Sequence, residues 1–314
     1  MAARTKHEVE IGGRPLTLSN FAKVLYPSGF TKGKVIDYYT RIAPVMVPHL
    51  AGRCLTFRRY PDGTAADGFF EKRCPKHRPD WVPVAIGPSD RRGDIHYCRV
   101  EEPAGLVWAA NLAAIELHAP MALADRQDTP LVLVFDFDPG PATDIATCCA
   151  LAMRVREVLA SVELKGWCKT SGSKGLQLYV PLNPAADDDG ASHEETARFA
   201  KAVGAVLAKQ TPDQVTTVMA KAERPGKVFV DWSQNAFHKT TIAPYSLRAR
   251  PEPTVSTPIT WDEVETGSTG DAQLRFDAAA VLARVDEHGD LFAAVLTEHQ
   301  QLPPRLRESP PPTP

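Results

Sequence analysis

The sequence predicts a mixed α+β chain with a central sheet flanked by helices, and three observations carry that reading. Short, continuous apolar runs read as buried strands. Capping signals open stretches of helical periodicity. The two kinds of signal alternate along the chain, which holds no internal repeat. With 314 residues, 43% hydrophobic and 24% charged, the balance is that of a globular protein with length for one large domain or two packed ones.

In chain order, Thr31 caps a helix carrying Val35, Ile36, Tyr39, Ile42 and Ala43 on one face and ending near Pro44. Residues 105–115 read as helical and 116–118 as extended. Leu131-Val132-Leu133-Val134-Phe135 is a buried strand, followed by an Ala- and Leu-rich helix over 143–160. Residues 176–181 form the next strand, and Asp187-Asp188-Asp189-Gly190 an exposed acidic loop. Ser192-His193-Glu194-Glu195 is a capping box opening a helix to about residue 208. A further strand covers 227–231, and 272–297 are helical. We expect a single domain over 1–300, in two sections over 1–125 and 126–300, and a disordered Pro-rich tail over 301–314.

Residues 1–100 hold 17 Lys or Arg against 9 Asp or Glu, and the remainder holds 19 against 29. A basic section joined to an acidic one points to a polyanion as the partner of the first. No run approaches the roughly 18 uncharged apolar residues of a membrane helix, so no membrane partner is expected. Residues 1–10 lack the apolar core of a signal peptide. The 6 Cys, with Cys148 and Cys149 adjacent, do not resemble a disulfide framework. Both features point to a reducing cytosol.

The sharpest chemical signal is Val134-Phe135-Asp136-Phe137-Asp138-Pro139-Gly140. Asp136 and Asp138 stand at i and i+2 of an apolar strand, so they share a face at the end that Pro139-Gly140 closes. Carboxylates this close repel unless a cation lies between them, and hard oxygen ligands suit Mg²⁺ or Mn²⁺. The bland alternative is ordinary Asp-Pro-Gly turn chemistry. Asp231 also closes an apolar strand, where its alternative is a strand-end cap. Three Asp on neighbouring strand ends are the protein part of a two-metal phosphoryl-transfer site. The same trio would serve a metal-dependent phosphodiesterase, and the basic section alone would make a non-catalytic DNA-end-binding protein.

Around the acids lie candidate phosphate contacts. Lys169-Thr170-Ser171-Gly172-Ser173-Lys174-Gly175-Leu176-Gln177 can aim Ser171, Lys174 and backbone N–H groups at phosphate oxygens, although the pattern is also that of a hairpin turn. Lys23, Lys32, Lys34, Arg53, Arg58 and Arg59 precede Phe69-Phe70. Aromatics among cations suit stacking on unpaired bases beside a phosphate track, with one of the two Phe expected in the core. Cys74, His77, His96 and Cys98 offer a rival tetrahedral zinc set with an unusual H-x-C spacing.

Taken in order, these motifs resemble the archaeo-eukaryotic primase superfamily, and most nearly the polymerase domain of bacterial DNA ligase D and its stand-alone primase-polymerase relatives. The resemblance covers residues 16–261 and rests most on Phe229-Val230-Asp231-Trp232-Ser233-Gln234-Asn235 and Thr240-Thr241-Ile242-Ala243-Pro244-Tyr245-Ser246-Leu247-Arg248. It implies the primase-polymerase fold, with central, mostly antiparallel sheets and the catalytic section over 126–300. By the same resemblance Asp136, Asp138 and Asp231 bind two ions, Mn²⁺ or Mg²⁺, with no organic cofactor. They would catalyse template-directed nucleotide addition, with ribonucleotides preferred, filling short gaps or broken ends in DNA repair such as non-homologous end joining. Arg58, His118, Ser171, Lys174, Gln177, Arg224, Gln234 and Arg248 stand where relatives contact the incoming NTP or dNTP. Lys23 and Lys32 stand where they hold the 5′-phosphate of gapped or broken DNA, and Phe69 and Phe70 where they meet the template. Gln177 departs from the pattern, because the second motif usually ends in His; a Gln donates a hydrogen bond but carries no charge. The chain has no Lys-x-Asp-Gly ligase nucleophile, so the resemblance implies a separate DNA ligase for sealing, in the bacterial cytosol or nucleoid.

Overall fold

A computed structural model describes residues 6–87 and 94–303. The expected tail over 304–314 lies outside these residues. Leu302, which that expectation also placed in the tail, is buried, and Gln301 donates a hydrogen bond to Asp188. The chain forms two compact units. No helix among the described residues is long and apolar enough to cross a membrane.

The first unit comprises Met1–Pro120, Thr240–Thr257 and Arg275–Leu291. Its main sheet is antiparallel and runs, edge to edge, through strands Thr240–Ile242, Ala114–Pro120, Thr56–Arg59 and Phe69–Glu71. Helices Lys32–Leu50, Pro103–Asn111 and Ala278–His288 surround a core built on Tyr39, Ile42, Met46, Leu106 and Leu117. Thr31 caps the first helix as expected, accepting from the Lys34 N–H, but the helix continues through Pro44 and Pro48 to Leu50. An interior Pro costs roughly 3 kcal/mol. Met46, Val47 and Leu50, beyond the first Pro, are all buried, and at roughly 1.5–3 kcal/mol for each large side chain their burial is of the size needed to offset both Pro.

The expected helix over 272–297 divides into Ala278–His288 and Ala294–Thr297. Gly289, at φ +69°, adopts the left-handed backbone that ends the first piece. Cys74 and Cys98 are joined in a disulfide, with Cα atoms 4.8 Å apart. This overturns the zinc set, while Cys54, Cys148, Cys149 and Cys168 are free. The Cys74 N–H bonds to the His96 carbonyl, which draws the two segments together, while His77 and His96 point into solvent.

The second unit comprises Met121–Lys239, Pro258–Leu274 and Phe292–Pro314. Its sheet has six strands in the order Val215–Thr216, Val228–Asp231, Val132–Pro139, Leu176–Pro181, Trp167–Thr170 and Pro258–Ile259. Every neighbouring pair is antiparallel except the first. Helices Ile145–Ala160 and His193–Gln210 pack on the central strand Val132–Pro139, and the predicted capping box on Ser192 is present. Along one face of that strand Val132 and Val134 pack with Tyr179, Phe292 and Val295. Further along the same face stand Asp136 and Asp138.

Candidate active site

Strand register assembles the acid site. In the six-stranded sheet Lys169 lies opposite Gln177, Gln177 opposite Asp136, and Asp136 opposite Asp231. Directly paired residues of antiparallel strands point to the same face with Cβ atoms about 5 Å apart. One transverse row therefore crosses four strands, with a lysine and an amide at one end and two carboxylates at the other. Asp138 is two residues beyond Asp136 on that face. The backbone thus brings together the three acids that the sequence singles out.

Asp136 is 7% exposed, and its carboxyl is pushed well above the ordinary range, first by burial and then by the charges of Asp138 and Asp231. A hydrogen bond from Gln177 and the charge of Lys169 relieve this only in part. Asp231 caps the short turn Trp232–Asn235. Its Oδ1 accepts from the Ser233 N–H and hydroxyl, and its Oδ2 from the Gln234 amide at 3.1 Å. The strand-end cap is thus realised together with the placement beside Asp136. Asn235 ties that turn to the central strand by exchanging two 2.8 Å hydrogen bonds with the Val134 backbone.

The donor set fits a divalent cation, since it consists of hard carboxylate oxygens with an uncompensated negative charge around a buried member. Among the described residues no three His, Cys, Asp or Glu side chains are gathered closely enough to hold an ion as they stand. Asp231 has both oxygens engaged by its own turn, and its rotation would accompany binding.

The loop after Trp167–Thr170 is the hairpin turn that the sequence allowed. Ser171 Oγ accepts from the Ser173 and Gly175 N–H groups, and Gly172 has φ +65°. A side chain at Gly175 would collide with the Phe137 carbonyl, so only glycine lets this loop lie against the acid-bearing strand. Lys174 is exposed on it. Arg224 lies over the Phe229 ring at 3.9 Å and donates to the Met219 carbonyl.

A second charged constellation lies in the first unit. Glu116, 1% exposed, accepts from Arg248 Nε at 3.1 Å, from the Ala249 N–H at 3.0 Å, and bonds His118 at 3.0 Å. Arg58 lies 3.6 Å from the same carboxylate. Burial alone would raise Glu116, but the His118 hydrogen bond and the Arg248 charge hold it well below the carboxylate range. Burial likewise pushes His118 below its ordinary value, against the pull of Glu116. Three of the sequence-predicted nucleotide residues, Arg58, His118 and Arg248, are thus fixed around one acid.

Phe69 and Phe70 are both exposed, against the expectation that one is core, because they stand on the uncovered edge strand. Arg59 lies over the first ring and Arg58 over the second, at 5.4 and 5.1 Å. Lys32 is buried with Nζ 3.4 Å from Ser19 Oγ, and burial together with Lys23 lowers its ammonium to about 8. Lys23 is paired at the surface with Asp62. Glu116, Lys169 and Asn235 escape sequence reasoning. A charged residue inside the apolar run Ala114-Ile115-Glu116-Leu117 is the signal for the first, since a buried charge must be paired.

Comparison with known proteins identifies the family. The chain matches the family described as LigD, primase-polymerase domain, over residues 31–292. It is 44% identical over 279 residues to the multifunctional non-homologous end joining protein LigD of Mycolicibacterium smegmatis, covering 88% of this chain and 35% of that protein. It is 31% identical over 262 residues to the bifunctional non-homologous end joining protein LigD of Bacillus subtilis, covering 83% and 41%. The polymerase domain of Mycobacterium tuberculosis ligase D in complex with DNA superposes with a TM-score of 0.82 at 38% identity, over 91% of this chain and 99% of that one. The chain therefore spans less than half the length of these LigD relatives but nearly the whole of the solved polymerase domain. From the acid row, the fold and these matches, the chain belongs to the LigD primase-polymerase domain family, a family of DNA nucleotidyltransferases.

Proposed function

We propose that this chain extends DNA ends across short gaps and breaks, preferring ribonucleotides, with Asp136, Asp138 and Asp231 holding two divalent ions, Mn²⁺ or Mg²⁺. The observation that carries this reading is the buried acid row, whose central carboxyl is destabilised by its two neighbours. When bound there, divalent cations activate the primer 3′-hydroxyl and neutralise charge on the transferred phosphate and the leaving pyrophosphate.

The chain's own residues position and select. Ser171, Lys174, Gln177, Arg224 and Gln234 in the second unit orient the incoming nucleotide and balance its triphosphate charge, and in the first unit Arg58, His118 and Arg248 are offered to a nucleotide phosphate. Lys23 and Lys32 hold the 5′-phosphate beyond the gap, and Phe69 and Phe70 stack on template bases. In the cell the reaction belongs to end joining or gap repair in the bacterial cytosol, and a DNA ligase activity seals the product.

A labelled primer on a gapped, 5′-phosphorylated duplex tests the reading. With Mn²⁺ and nucleotides the primer is expected to lengthen by the gap size, faster with NTPs than with dNTPs. Shortened strands would identify a phosphodiesterase, and DNA binding with no change of length a non-catalytic end-binding protein.

A further inference from the structure

Lys169 is 0% exposed, and nothing in the reaction outlined above uses it. It cannot meet a nucleotide, yet it occupies the end of the acid row. Its Nζ donates to Gln177 Oε1 at 2.5 Å, and the Tyr179 ring lies 5.3 Å away. Gln177 in turn hydrogen-bonds Asp136.

We propose that Lys169 is a positioning residue that acts through Gln177 to orient the Asp136 carboxylate. The inference rests on Asp136 being a cation ligand, as proposed above. An ammonium has only donors, so it can face only the carbonyl end of a primary amide. That choice turns the Gln177 Nε2 donors toward Asp136, the orientation in which an amide helps a carboxylate. The opposite orientation would set oxygen against oxygen. The lysine charge thus selects one of two nearly isosteric amide orientations, and the amide pins one carboxylate oxygen while leaving the other to the face shared with Asp138 and Asp231. Gly175 and the paired strands hold both side chains in register.

Partners one step removed from a ligand typically change metal affinity 10–100-fold. Lys169→Met, which keeps the length and removes the donor, is expected to weaken Mn²⁺ binding about tenfold or more when titrated calorimetrically without nucleotide. Its kcat for nucleotide addition falls at limiting Mn²⁺, because Lys169 acts on a proposed metal ligand through Gln177. Gln177→Met weakens Mn²⁺ binding similarly, and the double variant loses less than the product of the two single effects, since the lysine acts mainly through the amide. A folded Lys169→Met protein that binds Mn²⁺ like the wild type would overturn the inference. So would single effects that multiply in the double variant.

Removing a buried charge can prevent folding, so a second measurement uses the native chain. The Gln177 side-chain amide protons, followed by NMR in metal-free protein, are expected to exchange slowly with solvent, and fast exchange would overturn the inference. A wild type that binds no Mn²⁺, or an Asp136→Asn variant that binds it unchanged, would instead sink the underlying polymerase reading.

Discussion

Each unit buries a carboxylate on a strand, and the two are driven in opposite directions. Glu116 is held well below the ordinary range and Asp136 is raised well above it, although burial opposes ionisation in both. The neighbours decide the sign. His118, Arg248, Arg58 and a backbone N–H surround Glu116. Two further acids face Asp136, with only an amide and one lysine in relief. The first acid is electrically complete and aims three cationic or neutral donors; the second lacks a positive charge, which the proposed metal ions would supply.

The comparison breaks most readily at Asp136. Asp136→Asn is expected to reduce nucleotide addition by more than about a hundredfold, beyond the range typical of a ligand's outer partners. Because the substitution removes repulsion, the metal-free variant melts no lower than the wild type in a thermal scan. A clear loss of stability would mean that the ionised acid is already compensated.

Glu116→Gln is the mirror experiment. Leaving the Arg248 and Arg58 charges unpaired around a buried amide costs about 3 kcal/mol in urea unfolding and raises the KM for NTP. A carboxyl with a depressed folded pKa adds stability that is fully present above its unfolded pKa, about 4.3, and is lost as pH falls below it. The variant's stability is therefore flatter than the wild type's on the acid side. Equal acid limbs would contradict the pairing.

The exposed edge gives smaller effects. Phe70→Ala should weaken template-strand binding by about 1–3 kcal/mol with little change in stability, because the ring is exposed and meets the His118 edge and the Arg58 guanidinium rather than the apolar core. Unchanged binding in a fluorescence titration would remove it from the DNA surface. The smallest expected effect concerns Lys32, whose ammonium is lowered to about 8. Below that pH it is charged and above it neutral, so the preference for 5′-phosphorylated over hydroxyl-ended gaps declines as pH rises through 8. Lys32→Ala flattens that profile, and a preference independent of pH would place the phosphate elsewhere.

The two regions also differ in how much of them the sequence reveals. The acid row is legible because strand periodicity, apolar runs and closing Pro-Gly turns are local signals, and Leu176–Pro181 forms with its expected bounds. The cross-strand register that puts Lys169 beside Gln177 and Asp136 beside Asp231 depends on partners distant in sequence, so it appears only with the fold. The Glu116 cluster gathers residues 58, 116, 118 and 248, and its one local signal, a charge inside an apolar run, does not say which partners meet it. Pro44 misleads for a related reason: a local penalty is overridden by burial of the next turns of the helix. The Cys74–Cys98 bond likewise depends on a loop residue meeting the end of the strand Ile95–Cys98.

Counting bound Mn²⁺ by electron paramagnetic resonance, with nucleotide present, tests the central claim most directly. Wild-type protein is predicted to bind two ions, with binding lost or sharply weakened in Asp136→Asn and in Asp231→Asn. Equal occupancy in all three proteins, or none in the wild type, would contradict a metal site built on this row.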